Sequence, residues 1–243
     1  MLALLKIEWI KTWREWPTFI LGIGMPVVFF LFYSGMTMFA DPVQQKTFVQ
    51  SYMLTMTAFS MSSFGFFSFP FMLVEDQTNH WLTYLEHSRV TMWQYYLAKV
   101  FRVLLNFACS ITITFLVAAL CRDVHLLATR WLGSILLLLL SGLLFLAFGL
   151  LIAQVKSQQL MSIVGNIAFL GFAIIGGSWM PIATFPDWLQ AISKWTPLYH
   201  VNQLLVQFVQ NGSFLWSSFV SIMAYAIIVA GLALVIKGKM EVT

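Results

Sequence analysis

Charged side chains divide this chain into long uncharged runs. Residues 17–39, 47–74, 103–121, 131–155, 157–186 and 214–236 contain no Asp, Glu, Lys or Arg. A hydrocarbon layer about 30 Å thick needs roughly 20 apolar residues of helix to cross it. Each run therefore predicts one membrane span. The fifth is too long for one straight helix, so its span is placed at 157–180. A β-barrel would alternate in ten-residue segments, and these runs do not. The expected fold is an all-α membrane protein, a single domain over residues 1–243 with six transmembrane helices.

The segments between the runs carry their own patterns. Residues 1–16 are too polar to cross. On a helical wheel Leu2, Leu5, Trp9, Trp13 and Trp16 share a stripe about 80° wide, while Glu8, Lys11, Arg14 and Glu15 point elsewhere. That pattern predicts an amphipathic helix lying in the headgroup layer, where Trp prefers to sit. It serves either as an anchor for the first span or as a lever toward a partner.

Residues 75–99 form the longest polar loop. It opens with Glu75, Asp76, Gln77, Thr78 and Asn79, which suit the start of a new helix. Trp81, Leu82, Tyr84 and Leu85 then give a short apolar face, with His80, Glu86 and His87 among them. Such a face lies on lipid or inserts into a groove on another protein. The docking candidates are Glu75, Asp76, His80, Trp81, Leu82, Leu85 and Glu86.

Residues 181–212 read as a re-entrant helical hairpin. Gly176 and Gly177 loosen the end of span five, and Pro181, Pro186 and Pro197 punctuate the next stretch of chain. Two short helices are expected. The first shows Trp188, Leu189, Ile192 and Trp195 on one face, and the second shows Leu198, Val201, Leu205 and Phe208. Polar backbone at membrane depth is tolerated only under protein or beside a wet cavity. Gly176, Gly177, Pro181, Pro186, Trp188 and Pro197 are therefore candidate residues of a packed rim, or gate, over a pathway.

Composition supports the membrane reading. Apolar types make up 60% of the chain, charged types 9%, and mean hydropathy is +0.85. A soluble domain carries about 25% charge. The net charge of +4 is spread too thinly for nucleic acid. Cys109 and Cys121 lie on one predicted helix, roughly 18 Å apart by helical rise, and cannot bridge. With the N-terminus inside, Lys6, Lys11, Arg14, Arg89, Lys99, Lys156, Lys237 and Lys239 are cytoplasmic, and Arg102 sits at the boundary. Lys46, Arg122, Arg130 and Lys194 are outside. That bias puts both termini in the cytoplasm. No cleavable signal sequence is visible ahead of the first span.

Several chemistries lose support. Ion-coupled carriers need ionisable groups at the midplane, and the six runs contain none. Asn106 and Asn166 are the strongest polar groups there, and either suits helix packing. A passive channel has no charged ring or filter motif to recommend it. His80, His87, His125 and His200 fall on both sides of the membrane, so no metal site is expected. No Gly-x-x-x-x-Gly-Lys-Ser/Thr phosphate loop occurs, since Gly238-Lys239 is followed by Met240.

Six spans, an amphipathic N-terminal helix, a long first cytoplasmic loop and a Pro-rich hairpin before the last span resemble the permease subunit of type-2 ABC exporters. Gly177-Ser178-Trp179-Met180-Pro181, Phe185-Pro186-Asp187-Trp188-Leu189 and Trp195-Thr196-Pro197-Leu198-Tyr199-His200 are similar to that family's signature near its last two helices. The loop from Glu75 to Lys99 is similar to its coupling loop, although the usual Gly-Thr after the acidic start is absent. The resemblance implies two permease copies, or one with a paralogue, facing each other in a bacterial plasma membrane. Separate ATPase subunits would carry ATP and Mg, with no cofactor on this chain. It also implies that spans two and five line the pathway. Candidate pathway residues are then Met61, Phe64 and Phe67 on span two, and Asn166, Phe169 and Phe172 on span five. Met and Phe surfaces adapt to varied apolar ligands. A hydrophobic drug, peptide or lipid fits them, unless the same residues face acyl chains or pack on neighbours. No continuous polar lining for a polysaccharide or lipid-linked glycan stands out.

Overall fold

A computed structural model describes residues 2–79, 81, 85, 87, 90–155 and 157–241. The described residues are almost entirely helical, with no strand. Helix α1 (Leu2–Arg14) precedes α2 (Trp16–Gly35), α3 (Pro42–Thr78), α4 (Met92–Arg122), α5 (Ala128–Ile152) and α6 (Gln158–Ile175). A 3₁₀ turn at Ile182–Thr184, α7 (Asp187–Ser193), α8 (Pro197–Asn211) and α9 (Trp216–Glu241) complete the chain. Six helices are long and apolar enough to span: α2, α3, α4, α5, α6 and α9.

Two boundaries differ from expectation for one physical reason. Helix α3 runs on through Glu75–Thr78, which were expected to begin a new helix. Helix α4 starts at Met92, eleven residues before the uncharged run. Charge marks where a helix leaves lipid, not where its backbone bonding ends. The start of α4 is set instead by a capping box, in which Thr91 accepts from the Gln94 amide and Gln94 returns the bond.

Helix α3 is the centre of the bundle, buried along most of its length, whereas α2, α6 and α9 keep apolar faces open. Prolines shape the spans. Pro26 cannot donate to Gly22 O, so α2 loosens into a π turn over Ile20–Gly24. The Ser60 hydroxyl of α3 donates to that carbonyl at 2.7 Å, and Ser110 of α4 donates to Ser60 Oγ at 2.7 Å. One buried chain of bonds thus ties three spans together and replaces the donor that proline lacks. Pro70 likewise follows a π turn at Phe64–Ser68. There α3 crosses α5 so closely that a Cβ on Gly149 would overlap the Gly65 carbonyl oxygen.

The segment after α6 is more deeply built in than two short helices would be. Helix α8 has 15 residues, and Leu198, Val201, Leu205 and Val209 are core. It packs on α3, α5 and α9. Gly212, at φ 69°, closes it in the left-handed conformation that glycine adopts without strain. Trp188, Ile192 and Trp195 on and beside α7 are exposed.

Candidate functional site

Among the described residues, clefts open along α3 toward both ends of the bundle. The cleft at the end holding both termini has a volume of about 450 Å³. Pro17, Leu21 and Met25 of α2 line it with Phe59, Phe64 and Phe67 of α3 and Phe169 of α6. Thr18, Ser63 and Ser68 are the polar exceptions. The second cleft, about 490 Å³, lies at the opposite end. Gln44, Thr47, Ser51, Tyr52 and Thr55 of α3 face Tyr199, Asn202, Gln203 and Gln210 of α8 across it. Gly176, Gly177, Pro181 and Ile182 close its side.

An aromatic cluster separates the clefts. Phe59 stacks on Phe169 with ring centres 4.6 Å apart, and Trp179 meets Phe59 at 5.9 Å and Phe29 at 5.8 Å. Thr55, the last α3 residue of the second cleft, and Phe59, the first of the other, are one helical turn apart. That is about 6 Å along the axis. Turn formation places Trp179 here: Gly177 takes φ 76°, and a Cβ there would strike Ile182.

The second cleft is held open by specific bonds. Asn202 donates to Gly176 O at 3.0 Å and to Ser178 Oγ at 3.2 Å, tying α8 to the break after α6. Gln210 donates to Ser51 Oγ at 2.7 Å, tying α8 to α3. Among the described residues, no Asp, Glu, Lys, Arg or His lines the cleft. His200 stands beside Tyr199, and burial lowers its pKa below the ordinary 6.5, which keeps it neutral at pH 7.

A third feature joins α1 to the spans. Lys99 of α4 lies 2.8 Å from Glu8 of α1 and 2.7 Å from Asp76 of α3. Arg102 pairs with Glu8 at 3.1 Å and with Glu15. Lys11 reaches Asp76 at 3.5 Å, and Tyr95 donates to Asp76 at 3.0 Å. Three carboxylates and three cations compensate one another, as buried charges require. The inward face of α1 is thus Leu4, Glu8 and Thr12, while Trp9, Trp13 and Trp16 are exposed. The tryptophans of the stripe read from the sequence face out.

The structure sorts the expected site residues. Phe64, Phe67 and Phe169 meet in the first cleft. Met61 does not: it is fully buried toward Phe107 and Gly142, on the side of α4 and α5. Phe172 is packed against Phe66 and Phe148, and Asn166 is exposed on α6, donating to Ser162 O. Of the gate residues, Gly176, Gly177 and Pro181 line the second cleft. Pro186 and Trp188 are exposed away from it, and Pro197 is buried at the start of α8. The Asp76 carboxylate is buried inside the ion cluster rather than open at the surface. Leu85 is buried and Trp81 half-buried under the Lys11 ammonium, 5.7 Å from the ring centre, so these two side chains turn toward the chain's own body. Glu75 remains exposed. His80, Leu82 and Glu86 lie outside the described residues.

The second cleft is mostly apolar on its exposed lining, with polar side chains along part of two helices. Gln44, Thr47, Ser51 and Thr55 recur at three- and four-residue steps on α3, and Tyr199, Gln203, Val206 and Gln210 do so on α8. Each stripe was visible as helical spacing. Their union across the cleft was not, because the helices are some 150 residues apart in sequence.

The comparisons with known proteins agree with this architecture. The profile of the ABC-2 type transporter family matches residues 1–210. The chain is 27% identical over 217 residues to the Bacillus subtilis (strain 168) protein named "Putative transport permease YvfS", covering 89% of this chain and 88% of that protein. With its six apolar spans and a family match over most of its length, the chain belongs to the ABC-2 type transporters.

Proposed function

We propose that this chain, a membrane component of an ABC-2 transporter and so a transport subunit rather than an enzyme, is the permease of an exporter driven by a separate ATPase. The observation that carries the reading is the pair of clefts along α3, separated by one aromatic layer. Two half-sites with a closed layer between them are what alternating access requires. The Lys and Arg bias puts the end with both termini in the cytoplasm. The Phe-lined cleft then takes up a hydrophobic or amphipathic molecule from the cytoplasmic side, and the second cleft releases it outside.

The energy input enters at the ion cluster. Helix α1, the end of α3 and the start of α4 share Glu8, Asp76, Lys99 and Arg102, so a push on one is felt by all three. An ATPase seated below, carrying ATP and Mg, would drive that push. A second permease copy or a paralogue would cover the open apolar faces of α2 and α6.

Affinity purification of the tagged chain, expressed together with the reading frames that flank it, tests this reading. The ATPase is expected to co-purify, and Glu75→Lys at the exposed end of α3 is expected to reduce its recovery without lowering the yield of the chain. A chain that leaves the membrane alone, or that moves a dye uphill without any ATPase, overturns the proposal.

A further inference from the structure

Residues 2–15 commit both of their carboxylates to the bundle. Glu8 pairs with Lys99 and Arg102 of α4, and Glu15, just past the end of α1, pairs with Arg102 as well. Lys11 turns to Asp76. Lys6 and Arg14 are exposed, and neither side chain forms an ion pair or hydrogen bond among the described residues. Glu75 of α3 borders the same small cleft as Arg14 but forms no ion pair with it. At about 100° per residue, Lys6 and Arg14 fall in the arc that holds Trp9, Ile10 and Trp13, all of them exposed. A helix of mixed charge in sequence thus presents outward only cations, indoles and aliphatic side chains.

The same bonds fix the height of that face. Arg102 is the last charge before the uncharged run 103–121, so its guanidinium marks where α4 enters hydrocarbon. Glu8 and Glu15 are two helical turns apart, about 10 Å along the axis. Both nevertheless reach that one guanidinium. Helix α1 therefore crosses α4 at the hydrocarbon boundary instead of running alongside it. Headgroup phosphates lie at this level, and indole rings settle there. We infer that the outward face of α1 is a docking surface for anionic phospholipid, with Lys6 and Arg14 each meeting a headgroup and Trp9 and Trp13 seated beside them. Charge selects the lipid, because a zwitterionic headgroup brings its own ammonium to its phosphate and an anionic one leaves the phosphate unanswered. A protein partner would have to bury both cations against carboxylates at the edge of hydrocarbon, where phospholipid already supplies the opposite charge. Lipid on the outer side and the Glu8 cluster on the inner side then hold α1 between them.

The test reads quenching of tryptophan fluorescence by brominated lipid, with the full chain in nanodiscs of phosphatidylcholine and a minority of phosphatidylglycerol. Bromine is placed on one lipid or on the other at fixed overall composition. Subtracting the signal of a variant with Trp9→Phe and Trp13→Phe isolates those two indoles from the rest. Mole for mole, brominated phosphatidylglycerol is expected to quench this share about fivefold more than brominated phosphatidylcholine, the size of one surface cation's attraction to an anionic leaflet. High salt is expected to weaken the preference. Lys6→Gln with Arg14→Gln is expected to abolish it, while quenching by phosphatidylcholine and thermal unfolding in detergent stay as in wild type. Equal quenching by the two lipids in the wild type, or an undiminished preference in the Gln variant, overturns the inference. So does loss of quenching by both lipids, in the chain alone or with a co-purified ATPase, since a protein would then cover the face.

Discussion

Lys99 stands 1% exposed at the start of α4, between the carboxylates of Glu8 and Asp76. Along the chain it is the polar end of a loop, and Glu8 is one of several charges on the outer face of α1. Nothing in periodicity distinguishes a charge bound for water from one bound for a carboxylate on a distant helix. The structure makes the two inseparable, and stranding a buried charge is costly. Lys99→Met leaves Glu8 with Arg102 alone and Asp76 with the half-exposed Lys11, and is expected to destabilise the chain by about 3–5 kcal/mol. Thermal unfolding in detergent checks it, with Trp13→Ala on the exposed face of α1 as a control that should melt close to wild type. The same logic explains why Asp76 is buried whereas Glu75, its neighbour, stays open: one helical position rotates a side chain by about 100° and moves it from the α4 side to the surface.

Helices were legible and their meetings were not. The six uncharged runs correspond to the six spans, because hydrocarbon leaves a chain no alternative to internal backbone bonding. The contact between α3 and α5 rests on Gly65 and Gly149, two glycines among 14 that no spacing rule singles out. Placing a side chain at Gly149 would drive it into the α3 backbone, which cannot retreat as a flexible side chain does. Gly149→Leu is therefore expected to cost at least about 1–3 kcal/mol and to lower the monodisperse fraction on size-exclusion chromatography. Gly171→Leu, where nothing lies within 4 Å, should leave that fraction unchanged. Helix α8 behaves the same way. Its apolar face of Leu198, Val201 and Leu205 was readable, but that the face packs into the core between α3, α5 and α9 depends on where those helices stand.

Across the whole molecule, the aromatic layer of Phe59, Phe169, Trp179 and Phe29 divides the two clefts. Aromatic rings suit this place because they fill a wide gap with few rotatable bonds. Removing the stacked pair by Phe59→Ala with Phe169→Ala is expected to join the clefts. Proteoliposomes loaded with carboxyfluorescein should then release it several-fold faster than wild type, while Met61→Ala, buried toward α4 and α5, should not change the rate. Equal release from the double variant and wild type would place the barrier elsewhere. Phe169 and Phe64 were readable as pathway candidates from their residue type on the spans that the family resemblance singles out. Trp179 was seen only as part of a family signature, and its role as a partner of Phe59 needs the turn at Gly177.

The sequence by itself determined the class, the number of spans and the family resemblance, since each depends on local composition or on short motifs that hydrocarbon and chain geometry constrain directly. Tertiary structure alone decided which charges are buried, which aromatic rings meet and that two ordinary polar stripes face each other. Those outcomes depend on how helices far apart in the chain approach, and such approach is set by the packing of small residues and side-chain bonds, which leave no periodic mark along either helix.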